Sequence, residues 1–94
     1  MALLSDAEIE ERLGAAEGWK RAHGDSIERE WRFSDFAAGI AFINRVAEIA
    51  EEANHHPDIL LHGWNKVRLT LSTHSQGGLT DADFRLASQI DRAA

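Results

Sequence analysis

Residues 51–74 of the 94-residue chain read EEANHHPDILLHGWNKVRLTLSTH, and the order of elements in this segment constrains the fold. It joins an apolar helical segment to two candidate strands and contains the only proline, Pro57. Because proline cannot continue a helix and biases the preceding residue towards extended backbone, the helix is predicted to end near Asn54 or His55. Most of the histidines also lie here, so a site that works near neutral pH is sought here first.

The residues after Pro57 have the pattern of a strand hairpin. Residues 58–62 form a short apolar run, and His62-Gly63 has the composition of a turn or bulge. Residues 64–73 are predicted to form the second strand, with His74 at its end. Its apolar and polar positions alternate, with Val67, Leu69 and Leu71 on one face and Arg68, Thr70 and Ser72 on the other.

The N-terminal part predicts a short helix followed by a hairpin. Ser5 and Glu8 have the spacing of a capping box, and the apolar face that follows continues to Gly14. The composition beyond Gly14 then favours two strands separated by a tight turn. The strands and the turn are residues 19–23, residues 27–33 and Gly24-Asp25.

The second predicted helix runs from about Asp35 to Asn54 and is capped by Ser34. It carries two apolar stripes, which together are wider than packing on one sheet requires. One stripe contains Phe36, Ile40, Ile43, Ala47 and Ala50, and the other contains Phe42, Val46, Ile49 and Ala53. We interpret the additional apolar surface as a subunit interface, which charged replacements of Phe42 and Ile49 should disrupt.

The last helix is predicted from the capping pair Thr80 and Asp83, and its inner face holds Phe84, Ala87 and Ile90. A loop of serine, glutamine and two glycines, residues 75–78, precedes it. The element order is therefore αββαββα. The predicted fold class is α+β, with a four-stranded antiparallel sheet, helices packed on one face and a single domain over residues 1–94.

Composition excludes several classes of protein. A net charge of −6 and a pI near 5.2 argue against a nucleic-acid partner, since such proteins usually carry a basic face. The absence of cysteine excludes disulfides and thiolate metal sites and is compatible with a reducing cytoplasm. No apolar run approaches the roughly 20 residues of a membrane span, and the N-terminus lacks a targeting pattern. We therefore expect a cytoplasmic protein without nucleic-acid or membrane partners.

The histidines have the residue types and positions of a general acid/base site. His55 and His56 fall at a helix C-terminus, where the helix dipole favours a cationic imidazole, and Glu51, four residues before His55, is close enough on a helix to pair with it. His74 has a different environment at a strand end, so the three imidazoles could line one cleft with different protonation tendencies. The alternative is that they are ordinary surface or core residues, and the residues alone do not decide between the two.

Other kinds of site are less well supported. Adjacent histidines point in different directions and no histidine pair has zinc-ligand spacing, so no metal site is expected. Gly77-Gly78 before a helix could bind phosphate, but no lysine follows and the aspartates of the last helix would repel an anion. Trp64 and Trp19 could each stack on a flat ligand, although core packing is favoured for both. Trp19 is retained as a candidate binding residue.

A larger set of residues resembles one known family, the pterin-4a-carbinolamine dehydratases. The resemblance covers essentially the whole chain and is densest from Glu51 to Asp91. Its residues are His55-His56-Pro57, Trp64-Asn65-Lys66-Val67, Leu71-Ser72-Thr73-His74, Gly78-Leu79-Thr80, Asp83, Ala87 and Ile90-Asp91, with a weaker match at Gly18-Trp19 and residues 33–36. The link from Pro57 to Trp64 is one residue longer than in animal members and carries His62, which has no counterpart in them.

The resemblance implies an αββαββα fold, a homodimer or homotetramer, and dehydration of 4a-hydroxytetrahydropterin to quinonoid dihydropterin without metal or organic cofactor. The family's catalytic histidines fall on His55, His56 and His74. Its pterin contacts fall on Asn54, His55, His56, Ser72, Thr73, His74 and Ser75, while Glu51 and Asp83 match acidic positions. We expect His56 to be the general acid, His74 to accept the N5 proton, and His55 either to orient substrate or to serve as acid for the opposite stereoisomer.

In animals the resembling family also includes a partner of a homeodomain transcription factor. A non-enzymatic protein-binding module of this kind is therefore the alternative function. The two hypotheses differ in what they require of the histidines, because only the enzyme needs imidazoles that exchange protons with a substrate.

Overall fold

The chain is described here by a computed structural model that covers residues 2–23 and 25–94. The helices are α1 (Asp6–Gly14), α2 (Phe36–Ala53) and α3 (Asp81–Ala93), and the strands are β1 (Lys20–Ala22), β2 (Ser26–Arg32), β3 (Asp58–His62) and β4 (Lys66–Leu71). A single 3₁₀ turn, His74–Gln76, precedes α3. This order confirms the predicted αββαββα arrangement. The predicted turn at Gly24-Asp25 lies partly outside the described residues, which do not include Gly24.

The strands form one antiparallel sheet in the order β1-β2-β4-β3. Ile27 of β2 pairs with Leu71 of β4, and Ile59 of β3 pairs with Leu69. The alternation along β4 buries every second residue, because successive side chains of a strand point to opposite faces. The opposite face carries charged residues that pair across the strands, as Arg68 does with Glu30 at 3.3 Å.

The three helices cover the apolar face of the sheet and enclose the core. The buried side chains come from every helix and from the two central strands. They include Ile9 of α1, Phe42 and Val46 of α2, Leu86 and Ile90 of α3, Ile27 of β2, and Val67, Leu69 and Leu71 of β4. This arrangement confirms the predicted α+β class with helices packed on one face.

Helix α2 is rotated differently from the prediction. Phe42 is fully buried in the core, whereas Phe36 and Ile40 are 53% and 37% exposed. The prediction that Phe42 belongs to a subunit interface was therefore wrong. Phe42 packs against the aromatic rings of Trp31 and Phe33, with ring centroids 4.9 and 5.2 Å away. The exposed apolar stripe of α2 is the one that begins at Phe36 and Ile40.

The helix caps follow the predicted chemistry with one correction. The capping boxes at Ser5 with Glu8 and at Thr80 with Asp83 are both formed. The N-cap of α2 is Asp35 and not Ser34, because the Asp35 carboxylate accepts a hydrogen bond from the Ala38 amide at 2.7 Å. The Ala38 amide is one of the unpaired donors of the first helical turn, and the aspartate at the N-cap satisfies it.

Strand β4 is shorter than predicted, and its first predicted residue lies outside it. Trp64 has a φ of 60° and a side chain that is 61% exposed, so it belongs to the turn after β3. The interpretation of Trp64 as a core residue was wrong. Asn65 is buried instead, and its side-chain amide donates to the Phe33 carbonyl at 3.0 Å.

Candidate functional site

The predicted site begins where α2 ends. Asn54 adopts a left-handed conformation with a φ of 51°, and asparagine tolerates this region better than most residues. The amide of His55 then donates back to the Ala50 carbonyl at 3.1 Å. This reversal takes His55 and His56 out of the helix, so their side chains follow different directions.

The imidazole of His55 reaches the start of α3. Its Nε2 atom lies 2.6 Å from Asp83 Oδ1, and the two side chains are 15% and 0% exposed. The expected pairing of His55 with Glu51 is therefore wrong. The four-residue spacing brings two side chains together only inside a helix, and the left-handed Asn54 interrupts the helix before His55.

Glu51 pairs instead with His56, whose Nε2 donates to Glu51 Oε2. Both side chains are largely exposed, at 56% for His56 and 76% for Glu51. The pair is accessible to a molecule that approaches the C-terminal end of α2. Because the Nε2 proton is engaged by the carboxylate, Nδ1 is the ring atom that remains for an exchange of protons.

Asp83 is the most enclosed ionisable group of this region. Its second oxygen, Oδ2, accepts hydrogen bonds from the Thr73 hydroxyl at 2.7 Å and from the Thr80 amide at 3.0 Å. The last bond belongs to the capping box of α3. Asp83 cannot contact a substrate directly, and its carboxylate instead connects the start of α3 with His55 and Thr73.

His74 lies at the start of the 3₁₀ turn and is exposed. It does not end a strand, because β4 stops at Leu71. The preceding residue, Thr73, fixes the turn: its amide donates to the Gly78 carbonyl at 2.8 Å, and its carbonyl accepts from the Gln76 amide at 3.0 Å. His74 is thus held at the edge of the molecule next to the residue that contacts Asp83.

The remaining predicted site residues are divided between surface and interior. Ser75 is exposed and Ser72 is partly buried, while the side chain of Thr73 is buried in the network of Asp83. Trp19 is a core residue, as favoured from its sequence. It lies edge-on to Trp31 at 5.7 Å, and its indole N–H donates to Asp91 at 3.0 Å.

A depression beside strand β2 contains none of the three histidines. It has a volume of about 280 Å³ and is lined in part by Glu28, Arg29 and Arg68. Its charges are paired, as in the 3.8 Å contact between Lys20 and Glu28 and the 3.1 Å contact between Arg29 and Asp91 of α3. We therefore assign the candidate site to the histidine end of α2.

Neither a metal centre nor a membrane segment is found in residues 2–23 and 25–94. In this part of the chain, no three histidine, cysteine, aspartate or glutamate side chains are grouped so that they could hold a metal ion. No helix there has the length and apolar character needed to cross a bilayer.

Comparison with known proteins shows the family of the chain. A family model described as pterin 4 alpha carbinolamine dehydratase matches residues 2–93. The chain belongs to this family. A pterin carbinolamine dehydratase relative from Roseiflexus castenholzii is 56% identical over 90 residues, which cover 96% of this chain and 95% of the relative. One from Mycobacteroides abscessus is 48% identical over 91 residues, covering 97% and 95%. Both relatives carry the dehydratase name provisionally.

Solved structures of pterin dehydratase relatives share the fold. A crystal structure from Brucella melitensis, described as a transcriptional coactivator/pterin dehydratase, is 34% identical, with a TM-score of 0.92 over 99% of both chains. A pterin dehydratase-like protein identified as a RuBisCO assembly factor in the alpha-carboxysome is 25% identical. Its TM-score is 0.69 over 83% of this chain and 90% of that chain.

For this family member, sequence reasoning missed the way in which Asp83 and Thr80 support the site. The capping-box spacing of Thr80 and Asp83 did signal the helix start. It did not signal that the same carboxylate bonds His55, since one Asp83 oxygen serves the cap and the other serves the histidine.

Proposed function

We propose that this pterin carbinolamine dehydratase family member dehydrates 4a-hydroxytetrahydropterin to quinonoid dihydropterin and so supports tetrahydropterin recycling in the cytoplasm. The observation that supports the proposal is the network of hydrogen bonds around Asp83. This carboxylate bonds His55 and also Thr73, which directly precedes His74. His56 adjoins His55 and is held by Glu51.

The reaction needs groups that move protons. In the carbinolamine, the N5 lone pair forms the C4a–N5 double bond while the C4a–O bond breaks, and the hydroxyl leaves as water after it receives a proton. The proton on N5 is then removed, which balances the proton given to oxygen. Positioned acid/base groups contribute about 10²- to 10⁴-fold to such a step, and imidazole suits both roles near neutral pH.

The division of roles follows from exposure and position. His56 is the proposed acid for the 4a-hydroxyl, because it is the exposed member of the adjacent pair. His74, on the 3₁₀ turn, is the proposed acceptor of the N5 proton. His55 is the most enclosed of the three and is held by Asp83, which suits orientation of the pterin.

The same proposal includes pterin contacts from both sides of the site. Asn54 lies at the end of α2, and Ser72, Thr73 and Ser75 flank His74. The hydroxyl of Thr73 is buried and its backbone is bonded within the 3₁₀ turn. We therefore propose that Thr73 orients the segment around His74 and does not bind the pterin through its hydroxyl. No metal or organic cofactor enters the proposed reaction, because the nitrogen lone pair itself expels the hydroxyl.

We also propose that the active form is a homodimer or homotetramer. Phe36 and Ile40 leave an apolar stripe on α2 that the chain does not cover by itself. Exposed apolar side chains of this size on a small domain favour burial against another subunit.

A non-enzymatic binding module is the second candidate, and the same exposed stripe favours it. The solved relatives described as a coactivator/dehydratase and as a RuBisCO assembly factor have this fold. The two candidates make different demands on the histidines, since a module that only binds protein through α2 needs no proton transfer at His56 or His74.

The test is the decay of 4a-hydroxytetrahydropterin, followed with the purified chain and with buffer alone. Acceleration that is lost in His56→Ala and His74→Ala would support the enzyme. A folded chain that leaves the spontaneous decay unchanged would contradict it and favour the binding module. His23→Ala is the matched control, because His23 lies in the β1–β2 turn and has no role in the proposal.

A further inference from the structure

We propose that Asp83 and Thr73 act as one positioning unit, which fixes the ring of His55 with its proton on Nε2 and ties that ring to the turn carrying His74. The inference deepens the proposed function and rests on it for its catalytic consequence. Its structural part concerns only the hydrogen bonds around one buried carboxylate and is testable without substrate.

The directions of the hydrogen bonds follow from counting protons. A hydroxyl has a single proton, and Thr73 donates that proton to Asp83 Oδ2 at 2.7 Å. The 2.8 Å contact between the Thr73 and Thr80 hydroxyls must then be donated by Thr80. The Thr80 oxygen in turn accepts from the Ala82 amide at 3.2 Å. The chain of donors therefore runs from α3 through both threonines to the carboxylate.

Asp83 Oδ2 also accepts the Thr80 amide at 3.0 Å, so the donors on this oxygen are fixed. The other oxygen, Oδ1, is left to accept from His55 Nε2 at 2.6 Å. An ionised carboxylate has only acceptor sites, which requires that His55 Nε2 carry the proton. Nδ1 of His55 is then the atom available to a bound molecule.

The network also connects two segments that the sequence keeps apart. His55 follows α2, and His74 follows Thr73 in the link between β4 and α3. Since both His55 and Thr73 bond the same fully buried carboxylate, a displacement of either segment must break a buried hydrogen bond. Loss of a partner inside the protein is costly because the remaining group stays unpaired.

Asp83→Asn gives the sharpest prediction. If the side-chain oxygen of the new asparagine accepts from the Thr73 hydroxyl and the Thr80 amide, its N–H₂ group faces His55 Nε2. That nitrogen must then accept a hydrogen bond. The neutral ring would carry its proton on Nδ1 in place of Nε2. We expect kcat/KM to fall by about 10²-fold, because the Nδ1 atom that is proposed to orient the pterin would become a donor in place of an acceptor and the substrate would be misaligned.

Thr73 is tested by Thr73→Val, which keeps the shape of the side chain and removes the hydroxyl. We expect kcat to fall and the pH profile of kcat to change, and Thr73→Ser to restore both because it returns the hydroxyl. Thr70→Val on the open face of β4 and Asp81→Asn on the exposed side of α3 are the matched controls, and neither should alter the His55 ring.

The decisive measurement is NMR of the imidazole nitrogens of His55 in the unliganded native chain, which needs no variant to fold. Nε2 should keep its proton whether or not Nδ1 is protonated, and Asp83→Asn should move it in the neutral ring. A native neutral ring with its proton on Nδ1, or Thr73→Val with unchanged kinetics, would overturn the positioning unit. A native chain without dehydratase activity but with the expected His55 proton would instead contradict the proposed function alone.

Discussion

His55 and Asp83 are separated by 28 residues in the sequence, and His55 Nε2 lies 2.6 Å from Asp83 Oδ1. The contact joins the end of α2 to the first turn of α3. Asp83 is fully buried, so a substrate cannot contact it. Its carboxylate serves the histidine site by orienting the His55 ring.

The first prediction concerns His56 and His74. Replacing either by alanine should lower kcat by about 10²-fold or more, the scale of a general acid or base. The double variant should lose much less than the product of the single losses, because both histidines act on one elimination. Single-turnover dehydration, with circular dichroism to confirm the fold, gives the comparison. Near-normal rates for both single variants would show that the site lies elsewhere.

His62 provides a contrast because it is tied to the sheet. Its Nε2 lies 2.7 Å from Glu30 Oε1, and this hydrogen bond is the main reason that the pKa of Glu30 is lowered, followed by the charges of His62 and Arg68. His62→Ala should leave dehydration unchanged and raise the pKa of Glu30 towards its ordinary value. An NMR titration of the Glu30 carboxyl measures the shift.

The Glu30 pKa also has a consequence for stability. A carboxyl with a lowered native pKa stabilises the fold above its unfolded pKa, and the contribution is lost as the pH falls through the native value. The native chain should therefore have a larger free energy of unfolding than His62→Ala at neutral pH, and the difference should shrink as the pH falls through the native pKa of Glu30. Denaturant unfolding at several pH values measures this. An equal difference at every pH would contradict the role of the pair.

The exposed stripe of α2 predicts self-association. Phe36→Glu with Ile40→Glu should dissociate the oligomer without unfolding the chain, because both side chains are already exposed. Phe42→Glu should unfold it, since Phe42 is fully buried. Ala41→Glu, on an exposed part of the same helix, is the control. Sedimentation velocity measures the state. A native chain that is monomeric at micromolar concentration would contradict the interface.

Activity is predicted to be independent of metal ions. The N5 lone pair expels the hydroxyl, so a Lewis acid has no required role in the proposed step. Dialysis against a chelator should leave the rate unchanged. Stoichiometric zinc in the purified chain, together with activity that disappears with zinc and returns on its addition, would contradict the proposed chemistry.

Asn54 allows a backbone role to be separated from a substrate contact. Asn54→Val should destabilise the fold by roughly 1–2 kcal/mol, because a residue with a branched Cβ is strained at the observed left-handed φ of 51°. Asn54→Gly should keep the stability and raise KM, since glycine adopts this conformation but lacks the proposed pterin contact. Urea unfolding and steady-state kinetics measure the two effects. An unchanged KM in Asn54→Gly would limit Asn54 to the helix cap.

The helices and strands and their order could be predicted from local sequence patterns. Alternation with a period of two identified β4, and the capping residues at Ser5 and Thr80 identified the starts of α1 and α3. Pro57 marked the end of α2. Each of these signals involves residues only a few positions apart, so it can be recognised in the sequence without knowledge of the tertiary packing.

Which side chains meet depends on tertiary packing. Both stripes of α2 are apolar, so its rotation depends on how Phe42 fits against Trp31 of β2 and against Phe33, which follows that strand. The partner of His55 depends on where the first turn of α3 packs beside the end of α2, and local spacing pointed to Glu51 instead. Contacts between distant segments result from packing of the whole core, and no short sequence pattern specifies them.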